Sequence, residues 1–353
     1  MSFMYNPFPF DDPKPVNRPE LSEKTISAVV SGGTPAVAKK FAATVIENAR
    51  KSNQILAFDG YTTVDWTLFL NLVARECRIA GVEFVSIDQN RECFKSGEEI
   101  DKMIDPLLIW DTKIDPTLLY GKIYKGGYDG LLDEAKTVEF EEKVSALKGG
   151  KGKVVAVYGY GCLIPRFRKL YDVKCFFDIT PKTSILRIRG GEYSNIGKER
   201  PDQINRVIRR CYYCDFEVAV CNRRELLHNS AIDFFFLADD PKSIVMMPFE
   251  AFSDICAQLV KYPFRAKPCY LEGVWGGSYM KRLRHLPDNM RNAAWVFDFI
   301  PMEVSVLVKA GDETLDINFC TFVCKEGVNL MSRDCVEKFH GYFPIRFNYD
   351  DSY

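Results

Sequence analysis

The sequence predicts an α/β protein: a parallel sheet covered by helices, followed by a smaller all-β region. Three observations carry this. Short apolar runs alternate with helical stretches from Gln54 to about residue 262, the pattern of a parallel sheet buried on both faces. From Pro263 onward β-rich runs take over, separated by Gly, Pro and Asp. Hydrophobic residues make up 47% and charged residues 27% of the 353 positions, an ordinary globular balance that excludes wholesale disorder.

Residues 1 to 33 hold Pro9, Pro13, Pro15 and Pro19, then Ser31, Gly32 and Gly33, and read as an extended arm with one short helix. A helix is expected from Thr34, as N-cap, with Pro35 in its first turn and an apolar face of Val37, Ala38, Phe41, Ala42, Val45 and Ile46. Gln54 to Asp59 is the first strand, ending at Gly60, and a long amphipathic helix should run from about Thr63 to Ala80, closed by Gly81. Further strands are expected at Val82 to Asp88, Lys153 to Tyr158, Val173 to Asp178 and Ile232 to Ala238. Helices are expected at Phe140 to Leu147, Thr183 to Arg189 and Pro201 to Arg210. The later β-runs are Ala293 to Ile300, Glu303 to Lys309, Thr314 to Phe322 and Phe343 to Tyr349. The expected organisation is an N-terminal arm and helix over 1–50, an α/β domain over 51–262 and a β-region over 263–353.

Charge and cysteine usage narrow the function classes. Lys and Arg total 47 against 48 Asp and Glu, so no global basic field exists to hold nucleic acid or an anionic membrane. No apolar run reaches the length of a membrane span. Met1 to Lys14 lacks the basic start and apolar centre of a secretory signal. Twelve cysteines without a framework pattern read as reduced thiols. The expected location is cytoplasmic.

The segment Phe58 to Thr67 lies where a phosphate-binding loop, G-x-x-x-x-G-K-[ST], would lie: a strand enters and a helix leaves. Gly60 and Thr67 occupy the first glycine and the Ser/Thr positions, with Thr62 and Thr63 between them. Asp65 stands at the second glycine and Trp66 at the lysine. Such a loop works by aiming backbone N–H groups and a lysine at phosphate. Asp65 and Trp66 together move the local charge two units toward repulsion, each unit worth roughly 4 kcal/mol at 4 Å before compensation. The alternative is a plain strand–turn–helix in which Asp65 caps the helix.

With the residues downstream, positions 54 to about 262 resemble the uridine-kinase and phosphoribulokinase group of P-loop kinases. Phe84 to Asp88 resembles that group's second strand, and the resemblance makes Asp88 the candidate catalytic residue beside the phosphate-accepting hydroxyl. Lys153 to Gly159 resembles its third strand, with Tyr158 where the family usually has an acidic residue. Tyr171 to Asp178, then Arg187 and Arg189, resemble the strand leading into an arginine-bearing lid, with Lys198 and Arg200 further along it.

Glu272 to Gly277, Ala294 to Phe297 and Phe343 to Phe347 resemble the start of a class I mannose-6-phosphate isomerase-type cupin, a jelly-roll β-fold. Trp275 is then a candidate for lining a sugar pocket, or a packed residue at a domain junction. The zinc ligands of that family follow the last of these strands, beyond Tyr353, so by this resemblance the chain is a short form or a piece of a longer protein. No cofactor of its own is expected: zinc belongs only to a complete cupin, and tight Mg-ATP binding is not expected. No metal site is assigned; Cys211 and Cys214 have metal-like spacing but read as buried thiols, and His228, His285 and His340 have no visible carboxylate partner.

Three functions follow from these readings. The first is a kinase-like protein without phosphoryl transfer, regulatory or ligand-binding, associated with sugar-phosphate metabolism. The second is an isomerase, if the rest of a cupin is supplied. The third is an active nucleoside or sugar kinase with a rebuilt phosphate site. A sugar phosphate or a nucleotide is the expected small-molecule partner, and the incomplete β-region leaves an open edge and an apolar face to be covered either by the α/β domain of the same chain or by a second copy in a homodimer.

Overall fold

The computed structural model describes residues 16–108, 110–111, 113, 120–261, 267–268, 304–318 and 347–348. In chain order the elements are β1 (Val16–Asn17), α1 (Glu23–Ala28), α2 (Thr34–Ala49), β2 (Gln54–Gly60), α3 (Thr67–Ile79), β3 (Glu83–Asp88), α4 (Gln89–Cys93) and α5 (Gly97–Ile104). Next come β4 (Tyr120–Gly121), α6 (Glu134–Ala146), β5 (Lys153–Tyr158), β6 (Val173–Asp178), α7 (Pro181–Arg189), α8 (Ile204–Arg210) and α9 (Phe216–His228). The remainder are β7 (Phe234–Leu237), β8 (Val245–Pro248), α10 (Phe249–Leu259), β9 (Lys267–Pro268), β10 (Val304–Ala310), β11 (Glu313–Asn318) and β12 (Phe347–Asn348).

The main sheet has six strands in the order β3-β5-β2-β6-β7-β8. The first five run parallel, and β8 closes the edge antiparallel to β7. All seven residues of β2 are buried, as a central strand covered on both faces requires. Side chains alternate across a strand, and the phenylalanines display both layers. Phe177 and Phe236 stack at 4.1 Å on one face, where Phe69 of α3 meets both and Phe41 of α2 meets Phe236. Their neighbours Phe176 and Phe235 point the other way, where Phe252 of α10 stacks on Phe235 at 3.9 Å.

The five expected parallel strands are present, with Lys153–Tyr158 and Val173–Asp178 at their expected bounds. Other boundaries moved for local reasons. Gly33, at φ 89°, is the N-cap of α2, so Thr34 is its first residue and its hydroxyl donates to the Pro241 carbonyl instead. The helix after β2 begins at Thr67, four residues later than expected, because Thr63 adopts φ 75° and breaks the helical path. Strand β8 and helices α4, α5, α9 and α10 are not among the elements the sequence predicts. In α9 the buried face includes Asn222 and Arg223, which interrupt the apolar stripe that marks a helix.

α8 and α9 are joined by one π-helical turn, Cys211–Asp215, all five residues of which are buried. Cys211 and Cys214 lie in this turn as buried thiols, and burial raises both well above the ordinary thiol range. Among the described residues no group of three or more His, Cys, Asp or Glu is arranged to hold a metal ion. Among them also, no helix is long and apolar enough to cross a membrane.

In the C-terminal region, β10 and β11 form a hairpin around Gly311 and Asp312. The N-terminal arm reaches it: β1 pairs with β10 in parallel, and Asn17 Nδ2 donates to the Leu307 carbonyl. Glu272 to Gly277, with Trp275, Ala294 to Phe297 and Phe343 to Arg346 lie outside the described residues, and the described strands do not make a jelly roll.

Candidate functional site

The carboxyl ends of β2, β5 and β6 converge where an open α/β sheet places its ligand crevice. The turn leaving β2 forms one wall. Its residues are held by their neighbours rather than turned outward. The amide of Gly60 donates to Asp59 Oδ1 at 2.7 Å, and that of Tyr61 to the Phe177 carbonyl at 2.9 Å. The Thr63 amide donates to the Tyr160 hydroxyl at 3.0 Å, Val64 to the Tyr61 carbonyl, and Thr67 to Asp65 Oδ1 at 2.8 Å. The N-cap of α3 is Trp66, which makes no side-chain cap bond, and Asp65, one residue earlier, holds the first helical amide instead.

Aromatic side chains fill the turn. Trp66 is 7% exposed and lies against the rings of Tyr158, at 6.0 Å, and Tyr160, at 5.4 Å. Tyr61 stacks on Phe216 of α9, and the Arg223 guanidinium sits 4.6 Å from the Tyr61 ring centroid. A Cβ on Gly60 would lie 2.6 Å from Val64 and 2.9 Å from the Phe177 carbonyl, so only glycine fits there. Thr63, at φ 75°, is a β-branched residue in the left-handed region, a conformation costing about 1–3 kcal/mol that its surroundings must impose.

Beneath the turn is a carboxylate that sequence reasoning passed over. Asp59 is wholly buried. One oxygen accepts from the amides of Gly60 and Gly161; the other accepts from the Leu163 amide and Asn222 Nδ2. Burial pushes its carboxyl up to about 6, against the downward pull of those four donors. Asp59 thus ties the end of β2 to the turn after β5 and to α9. In sequence only its place at the end of an apolar run set it apart.

The proposed lid residues are tied down to different degrees. Arg187 donates to the carbonyls of Thr63, at 2.8 Å, and Asp239, at 2.9 Å. Lys198 pairs with Asp101 and Asp202. Arg189 and Arg200 are exposed. The segment between them is anchored on Asp215 of the π-turn, whose Oδ2 accepts from the Tyr193 hydroxyl, Asn195 Nδ2 and the Ile196 amide. Asp215 was not singled out in the sequence, because its partners are twenty residues away along the chain. Asp88 caps α4 through the amides of Asn90 and Arg91 and pairs with Arg91 at 3.4 Å; burial raises its carboxyl above the usual range.

Two cavities open over these strand ends and share Tyr160. The first, about 700 Å³, runs along the β2–α3 turn and brings together Thr63, Asp65, Trp66, Thr67 and Arg187. The second, about 1020 Å³, holds Asp88, Lys198 and Arg200. Gly60 and Thr62 line neither cavity, and Arg189 is likewise apart. Trp275 lies outside the described residues.

These features define an α/β protein whose crevice sits over the carboxyl ends of a parallel sheet. The chain belongs to the family described as a domain of unknown function, DUF8485, whose family model matches residues 33–261. No curated protein matches it by sequence. The solved structures it is similar to include two P-loop kinases. A protein assigned as a fructose transport system kinase from Silicibacter sp. TM1040 shares 11% identity, with 52% of this chain and 93% of that one covered at a TM-score of 0.35. Phosphoribulokinase from Rhodobacter spheroides shares 12% identity, with 53% and 70% covered at a TM-score of 0.32. Likeness at that level carries no argument about activity.

Proposed function

We propose that this protein is a binding protein on a kinase-like α/β scaffold, taking a small molecule in the crevice over the strand ends and transferring no phosphate. The observation that supports this reading best is where the amides of the β2–α3 turn are spent. Five of the eight amides from Gly60 to Thr67, those of Gly60, Tyr61, Thr63, Val64 and Thr67, donate within the protein. A phosphate cradle needs such groups turned toward its ligand. Trp66 adds an apolar ring where a lysine would neutralise phosphate, and Arg187 is engaged by two carbonyls. The sugar-phosphate association and the isomerase alternative rest on residues outside the described ones, and the proposal does not depend on them.

Calorimetric titration of the full chain with Mg-ATP is the test. No binding is expected in the micromolar range. The double change Asp65→Gly with Trp66→Lys is expected to raise affinity for ATP, because it restores a positive charge and removes a negative one. Sub-micromolar binding to the unchanged chain, or turnover of ATP, would overturn the proposal.

A further inference from the structure

Resting on the reading of this crevice as a binding site, we propose that the cavity along the β2–α3 turn takes an organic ammonium cation, of the methylated-ammonium class. Aromatic rings make much of its wall: Trp66 lies against both Tyr158 and Tyr160, Tyr193 meets Tyr160, and Phe84 also lines the cavity. Ring faces carry negative potential and attract cations, and quaternary ammonium groups are commonly held by just such sets of rings.

The charges of the lining agree with the rings. Among the described residues its carboxylates and bases are Asp65, Glu192 and Arg187, two negative against one positive. Arg187 directs Nη1 and Nη2 at the carbonyls of Thr63 and Asp239, away from the task of holding an anion. Asp65 and Glu192 are exposed, where a bound cation can meet them. An anionic nucleotide would face both carboxylates with no lysine to offset them. A bare metal ion is poorly matched, because hard cations call for a cage of oxygen ligands.

A second feature is independent of charge. Thr63 and Trp66 line the cavity, and their Oγ1 and Nε1 atoms are buried with no hydrogen-bond partner among the described residues. Thr63 is 6% and Trp66 7% exposed. Buried polar groups are normally paired, and an unpaired one marks strain, a functional role or an unseen water or ion. Thr63 is also the residue held at φ 75°, and strain of that kind collects at ligand sites. The cavity, about 700 Å³, lies within the usual range for small-molecule sites.

The full chain should be titrated with choline, with tetramethylammonium, and with 3,3-dimethylbutan-1-ol, the uncharged isostere of choline, following heat and tryptophan fluorescence. Choline is expected to bind at least about tenfold more tightly than its isostere, the size of a desolvated cation–π contact. Asp65→Asn, which keeps the oxygen that accepts from the Thr67 amide, and Glu192→Gln should each weaken choline severalfold, as should raised salt. Equal affinity for choline and the isostere, no effect of either substitution, or no choline binding at tens of millimolar would overturn the inference. Mg-ATP run alongside separates the two proposals: silence of both ligands defeats only the cation, whereas ATP turnover defeats the binding-protein reading as well.

Discussion

The buried carboxylate of Asp59 makes the stability of this protein depend on pH in a direction opposite to that of most aspartates. Its folded-state pKa is raised to about 6, above the unfolded value near 3.9. Between those values the folded state holds a proton that the unfolded state has lost, so stability falls as pH rises. The contribution is fully present below about pH 4 and is gone once pH passes through about 6. At 1.36 kcal/mol per unit, a shift of about two units corresponds to about 3 kcal/mol. Other groups titrate in the same window, so the informative quantity is a difference between two proteins. Asp59→Asn does not titrate. It keeps one acceptor oxygen and turns an NH₂ toward two of the four donors, a cost of about 1–3 kcal/mol for each donor left unpaired, present at every pH. Urea denaturation of both proteins at pH 4.5, 5.5, 6.5 and 7.5 isolates the titration. The stability of the variant relative to the unchanged chain should improve by about 2 kcal/mol between pH 4.5 and 7.5, since about a third of the full effect is already spent at pH 4.5. A constant difference, or one that worsens with rising pH, would refute the reasoning and mean that the four donors outweigh burial.

Two further outcomes are expected. Arg223 and Asp178 form an ion pair at 2.7 Å with both side chains 1% exposed; Arg223→Ala should destabilise by about 3–5 kcal/mol in urea, because it strands a buried charge, and a loss under 1 kcal/mol would show that the site relaxes or admits water. Of the eight described cysteines only Cys221 is exposed, so Cys221→Ser should remove one fast-reacting thiol from a disulfide-exchange assay on native protein. Cys211→Ser should leave the fast phase unchanged, and a fast phase lost with Cys211 instead would mean that the π-turn opens readily.

The apolar runs at 54–59, 153–158 and 173–178 were enough to give the sheet, since a strand covered on both faces must be apolar along its whole length. Gly60, at the end of the first run, also marked the turn that follows it. The sequence could not show where the amides of that turn go, because the Tyr160 hydroxyl and the Phe177 carbonyl lie about a hundred residues away and meet the turn only through the strand order. Nor could it mark Asp59 or Asp215, each of which gains its role from donors on other elements. Asn222 and Arg223 hid α9 for a related reason: they are polar residues buried against partners that only the folded chain supplies. Local pattern determines which segments become strands, because burial acts on each residue where it stands. Tertiary structure decides what the crevice can hold, because a hydrogen-bond donor or a charge is available to a ligand only if no distant part of the same chain has already taken it.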